Sequence, residues 1–447
     1  MKSYLLKNGT LVNEGKVFHA DVLLKNGRIE RIEPNCNLTD PTAEILDLTG
    51  LHVMPGVIDD QVHFREPGLT HKADIRTESS AAVAGGVTSF MEMPNTVPNT
   101  FTQELLESKY VAASSKALAN FSFYMGASND NIEELLRTDK ENVCGIKIFM
   151  GSSTGNMLVD NEQALENIFG KVDMLIATHC EDEATVRQNL ASYKEKYGED
   201  GIEPYMHALI RSTEACYLSS SRATALAKKH NSRLHVLHIS TAKELSLFDD
   251  RTPLENKRIT SEACIHHLWF NEEDYKRLGN LIKWNPSIKT EHDRKAVLHG
   301  LLDNHIDVIA TDHAPHTWEE KQKPYLEAPS GGPLIQHSLV TMLQLYHQKS
   351  ISLEKIVEKM CHAPAVCFKV KERGYLREGY YADIAIVDLN RPWWVSKNNI
   401  LAKCGWSAFE GYEFKSKVIH TLVNGNLVYS NDRVDDSFKG MRLQFNA

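Results

Sequence analysis

Ile306-Asp307-Val308-Ile309-Ala310-Thr311-Asp312-His313-Ala314-Pro315-His316 is a short apolar run that stops abruptly on an acid and two histidines. A buried strand with such an ending is how a barrel enzyme presents reactive groups at a strand's carboxyl end. Comparable runs at Val53–Ile58, Gly145–Met150, Met174–Thr178 and Leu234–Ile239 contain, or lead directly into, His63 with Arg65, Lys147, His179 and His238. Further runs lie at Val87–Met91 and Ile259–Thr260. Mixed segments at Leu105–Leu118, Glu162–Phe169, Thr213–His230 and Glu291–Asn304 have the character of helices between them. Short strands with no polar face, alternating with helices, imply a parallel sheet covered on both sides. Seven or eight such units in roughly 310 residues suit an α/β fold of the (β/α)8 TIM-like barrel kind. An open doubly wound sheet is the alternative, but it would place its ligand at one switch point instead of collecting residues from so many strands.

The ends of the chain differ from this middle. Apolar runs near the N-terminus are punctuated by Asn8-Gly9 and Asn26-Gly27, and a similar pattern returns at Ala382–Asp388 and around Asn424-Gly425. Asn-Gly between apolar runs is a hairpin signal. The expected division is a small composite β-sandwich domain, residues 1–54 plus 370–447, flanking a barrel domain over residues 55–369. The polar stretch 316–332 ends in Gly-Gly and is a candidate mobile lid.

The 447 residues carry a formal net charge of −9, with 42% hydrophobic and 24% charged residues. That balance supplies a large core and gives no electrostatic reason to expect nucleic acid. The N-terminal stretch is too briefly apolar for a signal peptide, and no run approaches the ~20 residues that cross a bilayer. Eight scattered cysteines with no Cys-x-x-Cys pair point to reduced thiols in a cytoplasm.

Alternation along a strand would point Asp59, Gln61, His63 and Arg65 together and turn Asp60 away. A lone histidine is usually a hydrogen-bonded core residue. The company of a same-face arginine and other strand-end histidines argues for more. Arg65 offers a two-pronged donor suited to a carboxylate, against the plainer reading of a surface ion pair. Lys147 puts a charge inside a buried-strand pattern, which is costly unless the charge is paired or the proton lost. A neutral amine there can take up carbon dioxide as a carbamate, whereas the plain alternative is a lysine paired with a neighbouring acid. His179 and His238 supply neutral nitrogen ligands for zinc; His235 and Cys180 should face away. Asp312 can take a proton from an activated water and return it to a leaving nitrogen. His316, Asn95 and Asn285 are candidates for orienting a polar substrate, and by themselves are loop and turn residues.

With these residues on the page, the chain resembles the dihydroorotases of the amidohydrolase superfamily, the cyclic amidohydrolases, from about Pro55 to Gly332. The most specific pieces are His63-Phe-Arg65-Glu-Pro-Gly68, Met93-Pro-Asn95-Thr96 and Ala310-Thr-Asp312-His-Ala-Pro-His316. The resemblance implies a metal site of His63, Lys147 (carboxylated), His179, His238 and Asp312. It implies that Arg65, Asn95, Asn285 and His316 hold dihydroorotate, with Asp312 as proton shuttle. The implied reaction is the reversible, zinc-dependent cyclisation of N-carbamoyl-L-aspartate to L-dihydroorotate in pyrimidine biosynthesis. The expected partner is that small molecule, with neither nucleic acid nor membrane, and a homodimer is left open. One departure stands out. The family has His-x-His where this chain has Gln61-Val62-His63, so one Zn2+ is expected to bind tightly and a second weakly or not at all. Asp59 is then a supporting group or a substitute ligand. Hydantoinase- and allantoinase-like hydrolases, and a non-catalytic partner of another pyrimidine-pathway enzyme, are the competing readings.

Overall fold

The computed structural model describes residues 2–151 and 157–446. Strands from both ends of the chain form one nine-stranded sheet. The two ends meet where His52–Pro55 runs antiparallel to Ile384–Asp388, with Val53 opposite Ile386. Asn26-Gly27 and Asn424-Gly425 turn as expected, with φ of 51° and 79° at the first pair and 49° and 73° at the second. Positive φ at both central residues is what a tight hairpin requires. Asn8-Gly9 does not turn the chain. It lies within the single strand Tyr4–Asn13, where the register against Lys16–Lys25 shifts between Leu6 and Gly9. The same dipeptide here makes a bulge, with Asn8 N–H donating to Asp21 Oδ1 at 2.9 Å.

Parallel strands fill the middle of the chain. They are β1 Val57–Val62, β2 Val87–Glu92, β3 Asn120–Phe123 with its continuation Met125–Gly126, and β4 Ile146–Phe149. They continue with β5 Leu175–His179, β6 Arg233–Val236, β7 Ile259–Cys264 and β8 Val308–Ala310. Each pairs with the next in chain order, the continuation of β3 passing the pairing on to β4. The order also returns on itself: Val62 bridges His313, and His63 N–H donates to the His313 carbonyl at 2.7 Å.

The run Val53–Ile58 is two strands in two sheets, broken at Gly56. A Cβ at Gly56 would lie 2.1 Å from Thr88 Oγ1, so the close approach to β2 excludes any side chain there. Helices at Gln103–Lys116, Glu162–Lys171, Thr213–His230 and Glu291–Leu302 occupy the mixed segments. Each opens on a capping side chain (Thr102, Asn161, Ser212, Thr290) that accepts a first-turn N–H. No helix among the described residues is long and apolar enough to cross a membrane. All eight cysteines are free thiols.

The stretch 316–332 is tied down by two lysines. Lys321 is 1% exposed and donates to the carbonyls of Pro329 and Gly331 at 2.8 Å each. Lys283 donates to the carbonyls of Tyr325 and Ala328 at 2.6 Å each. The polar sequence that suggested a mobile lid therefore builds a wall held through its own backbone.

Candidate active site

The carboxyl ends of β1, β4, β5, β6 and β8 open on a cavity of about 240 Å³. His63, Lys147, His179, His238 and Asp312 line it, as do Arg65, Asn95, Asn285 and His316, so every residue expected at the site lies on one wall or another. Gln61, Phe149, Trp284, Ala314 and the segment 329–331 complete it.

Alternation on β1 decides which residues face in. Gln61, His63 and Arg65 reach the cavity, and Asp60 points below it against His235. Asp59 shares the parity of Gln61 but is engaged elsewhere. Thr311 donates to it from N–H at 3.2 Å and from Oγ1 at 2.6 Å, and the Gln61 N–H adds a third bond at 3.3 Å. Burial pushes its carboxyl up to about 8. Asp59 thus fastens the end of β8 to β1 and is not a substitute ligand. Beyond β1, the rim is built on unusual backbone. Arg65, His238 and Asp312 have φ of 66°, 42° and 49°. Left-handed backbone at a residue with a Cβ costs on the order of 1–2 kcal/mol, so three cases on one rim mark positions fixed against local preference.

The donors fit a divalent cation. His63 donates from Nδ1 to Asn95 Oδ1 at 2.7 Å, which leaves the Nε2 lone pair facing Asp312 Oδ1 at 3.1 Å. His179 is held from behind, with Nε2 donating to Glu181 Oε2 at 2.9 Å and Arg211 pairing with the same carboxylate. Its Nδ1 then faces His238 Nε2 at 3.0 Å, and His238 Nδ1 is buried without a hydrogen-bond partner. Facing lone pairs and an orphaned ring nitrogen are what a ligand set looks like before the ion is added. Burial lowers the pKa of all three imidazoles, favouring the neutral form that ligates.

Lys147 is 1% exposed, and burial brings its ammonium down to about 7 against the opposing charge of Glu262. Other buried lysines indicate what a charged one needs: Lys109 lies 2.8 Å from Glu92, and Lys257 2.7 Å from Asp307. Lys147 pairs with no carboxylate among the described residues, and its Nζ sits 4.6 Å from the centre of the Phe149 ring. The plain alternative of a neighbouring acid is therefore not what the fold provides. Gln61 offers the cavity little, because its Oε1 is turned to the Cys264 thiol at 3.5 Å.

The other end of the cavity is cationic. Arg65 is buried, its Nε donating to the Pro315 carbonyl at 3.0 Å, and burial brings the guanidinium down to about 10. It pairs with no carboxylate among the described residues. Lys72 donates to His316 Nδ1 at 3.1 Å, and His316 Nε2 donates to the Ser330 carbonyl at 3.0 Å. Arg65 Nη2 approaches the same Nε2 at 3.0 Å. Trp406 Nε1 secures the loop by donating to the His316 carbonyl at 2.7 Å.

Glu181, Arg211, Lys72 and Trp284 were not identified from the sequence. Glu181 carried a usable signal, standing two residues after His179 and on the same face of an extended strand. Arg211, Lys72 and Trp284 come from segments with no strand-end signature.

The chain is similar to known proteins over nearly its whole length. Residues 52–428 match the amidohydrolase family. The chain is 31% identical over 443 residues to a dihydroorotase of Bacillus cereus, covering 96% of this chain and 99% of that one. It is 29% identical over 436 residues to a dihydroorotase of Methanosphaera stadtmanae, covering 97% and 98%. Among solved structures, the L-hydantoinase (dihydropyrimidinase) of Arthrobacter aurescens superposes with a TM-score of 0.92 at 26% identity, covering 97% of this chain and 98% of that one. The dihydropyrimidinase of Brevibacillus agri, at TM-score 0.86 and 22% identity over 97% and 96%, shares the fold. The chain belongs to the amidohydrolase family and is a cyclic amide hydrolase.

Proposed function

We propose that this enzyme is a dihydroorotase, interconverting N-carbamoyl-L-aspartate and L-dihydroorotate for pyrimidine synthesis. The chemistry sits on a (β/α)8 barrel spanning residues 55–369, flanked by a β-sandwich of residues 1–54 and 370–447. The observation that carries the substrate is Arg65, a buried guanidinium without a carboxylate partner among the described residues, beside His316 and Asn95 on one cavity. A buried cation of this kind is costly unless an anion completes it, and the ring carboxylate of dihydroorotate is such an anion. The curated relatives named dihydroorotase support the same reading.

His179, His238 and a carboxylated Lys147 would hold a divalent cation, zinc by ligand type, with His63 and Asp312 reaching toward a second. When bound, such an ion polarises the ring amide carbonyl and makes water more acidic. The protein's own groups do the rest. Asp312, its Oδ1 held 3.1 Å from His63 Nε2, accepts the proton of the attacking water. As the ring C–N bond breaks, Asp312 returns that proton to the departing nitrogen. Ring closure runs the same steps backwards. Arg65 and His316 hold the carboxylate, and Asn95 and Asn285 fix the ring's polar edge.

A hydantoinase activity is the second reading, favoured by the fold match to the Arthrobacter enzyme. Arg65→Met separates the two. For dihydroorotate it should raise KM and lower kcat/KM by about 10–150-fold, the loss of one charged hydrogen-bonding partner. An uncharged hydantoin or dihydrouracil should be nearly unaffected. Equal losses on both rings would overturn the carboxylate clamp and favour the hydantoinase reading.

A further inference from the structure

A second group of ligating side chains lies below the cavity, where β1, β6 and β7 meet in the space the parallel strands enclose. Asp60, His235 and Glu262 are each 0% exposed, and their ligand atoms lie within 4.8 Å of one another. His235 Nε2 is 3.2 Å from Asp60 Oδ2 and 3.5 Å from Glu262 Oε2. None of the three lines the cavity.

The hydrogen bonds around the group fix which atoms are free. Thr260 Oγ1 donates to the Leu234 carbonyl at 3.3 Å, so it receives the proton of His235 Nδ1 at 2.8 Å. In the neutral ring that tautomer leaves a lone pair on Nε2, aimed at the two carboxylates. Glu262 Oε1 accepts from His238 N–H at 3.0 Å, which leaves Oε2 facing inward. Both Asp60 oxygens, Glu262 Oε2 and His235 Nε2 are buried without a hydrogen-bond partner. No lysine or arginine among the described residues pairs with either acid. Converging lone pairs call for a positive charge in their midst, a proton on Nε2 or a bound ion. The spacing suits an ion: tetrahedral bonds of about 2.0–2.1 Å put neighbouring ligands about 3.3 Å apart, close to the two separations seen.

We propose that Asp60, His235 and Glu262 bind a structural divalent cation of the zinc or manganese class beneath the active site. Two carboxylates balance its charge, and Thr260 orients the imidazole as a backing group does in a built metal site. The ion would tie β1, β6 and β7 together. It would also steady Glu262, which holds the N–H of the left-handed His238 directly above. With all three ligands fully buried, the ion enters as the strands close and exchanges slowly.

The test counts metal where the upper site cannot contribute. A His179→Ala/His238→Ala double variant is grown with zinc, dialysed against EDTA and measured by mass spectrometry. About one ion per chain should remain, and adding Asp60→Asn should bring it below a tenth of an ion. No ion in the double variant, or an unchanged count after Asp60→Asn, would overturn the proposal. Should these variants fail to fold, anomalous diffraction at the zinc and manganese edges on wild-type crystals gives an independent answer. A peak within bonding distance of all three side chains supports the site. An empty map there means an imidazolium shared by two acids. Neither readout depends on which cyclic amide the enzyme hydrolyses.

Discussion

The two sides of the cavity are built from the same residue types and hold them differently. On the β5–β6 side, His179 and His238 present nitrogens 3.0 Å apart, and Glu181 with Arg211 braces His179 from behind. On the β1–β8 side, Gln61 stands where a second imidazole is expected, and its oxygen is turned to Cys264. His63 Nε2 and Asp312 Oδ1 face each other there, with Asn95 behind the His63 ring. The lesson is that ligating power lies in the backing groups as much as in the ligands. One side is pre-oriented for an ion, and the other keeps two donors without the third. Lys147 lines the same cavity and, carboxylated, is the group both would share.

Removing that shared group should have the largest effect. Lys147→Ala is expected to abolish retention of the cavity metal and turnover together, measured by elemental analysis, against the His179→Ala/His238→Ala reference, and dihydroorotate hydrolysis on one sample. Full zinc content with full activity would break the comparison at its centre. Next comes the bracing. Glu181→Gln should weaken the tightly held ion by about 10–100-fold in a chelator competition, since second-layer partners of ligating histidines carry that much. An equal effect from Asn95→Ala, which unbraces His63, would mean the two sides are equivalent after all.

A smaller effect is set by pH. The Lys147 ammonium is brought down to about 7, so its neutral, carbon-dioxide-reactive form dominates above that pH and fades below it. Reactivation of chelated protein by zinc at fixed dissolved carbon dioxide should therefore rise roughly tenfold from pH 6 to pH 8. A flat profile would place carbamate formation elsewhere or nowhere.

Much of this was legible because strand alternation is a local property. Gln61, His63 and Arg65 face the cavity as their parity requires, and His235 turns away from His238 as its spacing requires. What could not be read depends on distant partners. β3 was missed because Asn120 and Ser122 break an apolar pattern. They are buried all the same, since Asn120 donates to Asp383 Oδ2 at 3.1 Å and Ser122 meets the Tyr110 hydroxyl at 2.8 Å. β7 was cut short for the same reason: Ser261 and Glu262 lie in the strand but look polar. Asp59 kept the right parity and still missed the cavity, because Thr311, some 250 positions along the chain, claims both its oxygens. The anchored stretch 316–332 completes the pattern, its carbonyl groups held by Lys321 from within and Lys283 from outside, partners that no sequence window reveals.

The most direct test of the asymmetry is metal content per chain, measured on protein purified without chelator, for wild type and Gln61→His together. His179→Ala/His238→Ala protein serves as the reference, so that any ion held beneath the cavity is subtracted. The account predicts about one cavity ion in active wild-type enzyme and close to two once Gln61 becomes an imidazole. Two cavity ions already present in the wild type would contradict it.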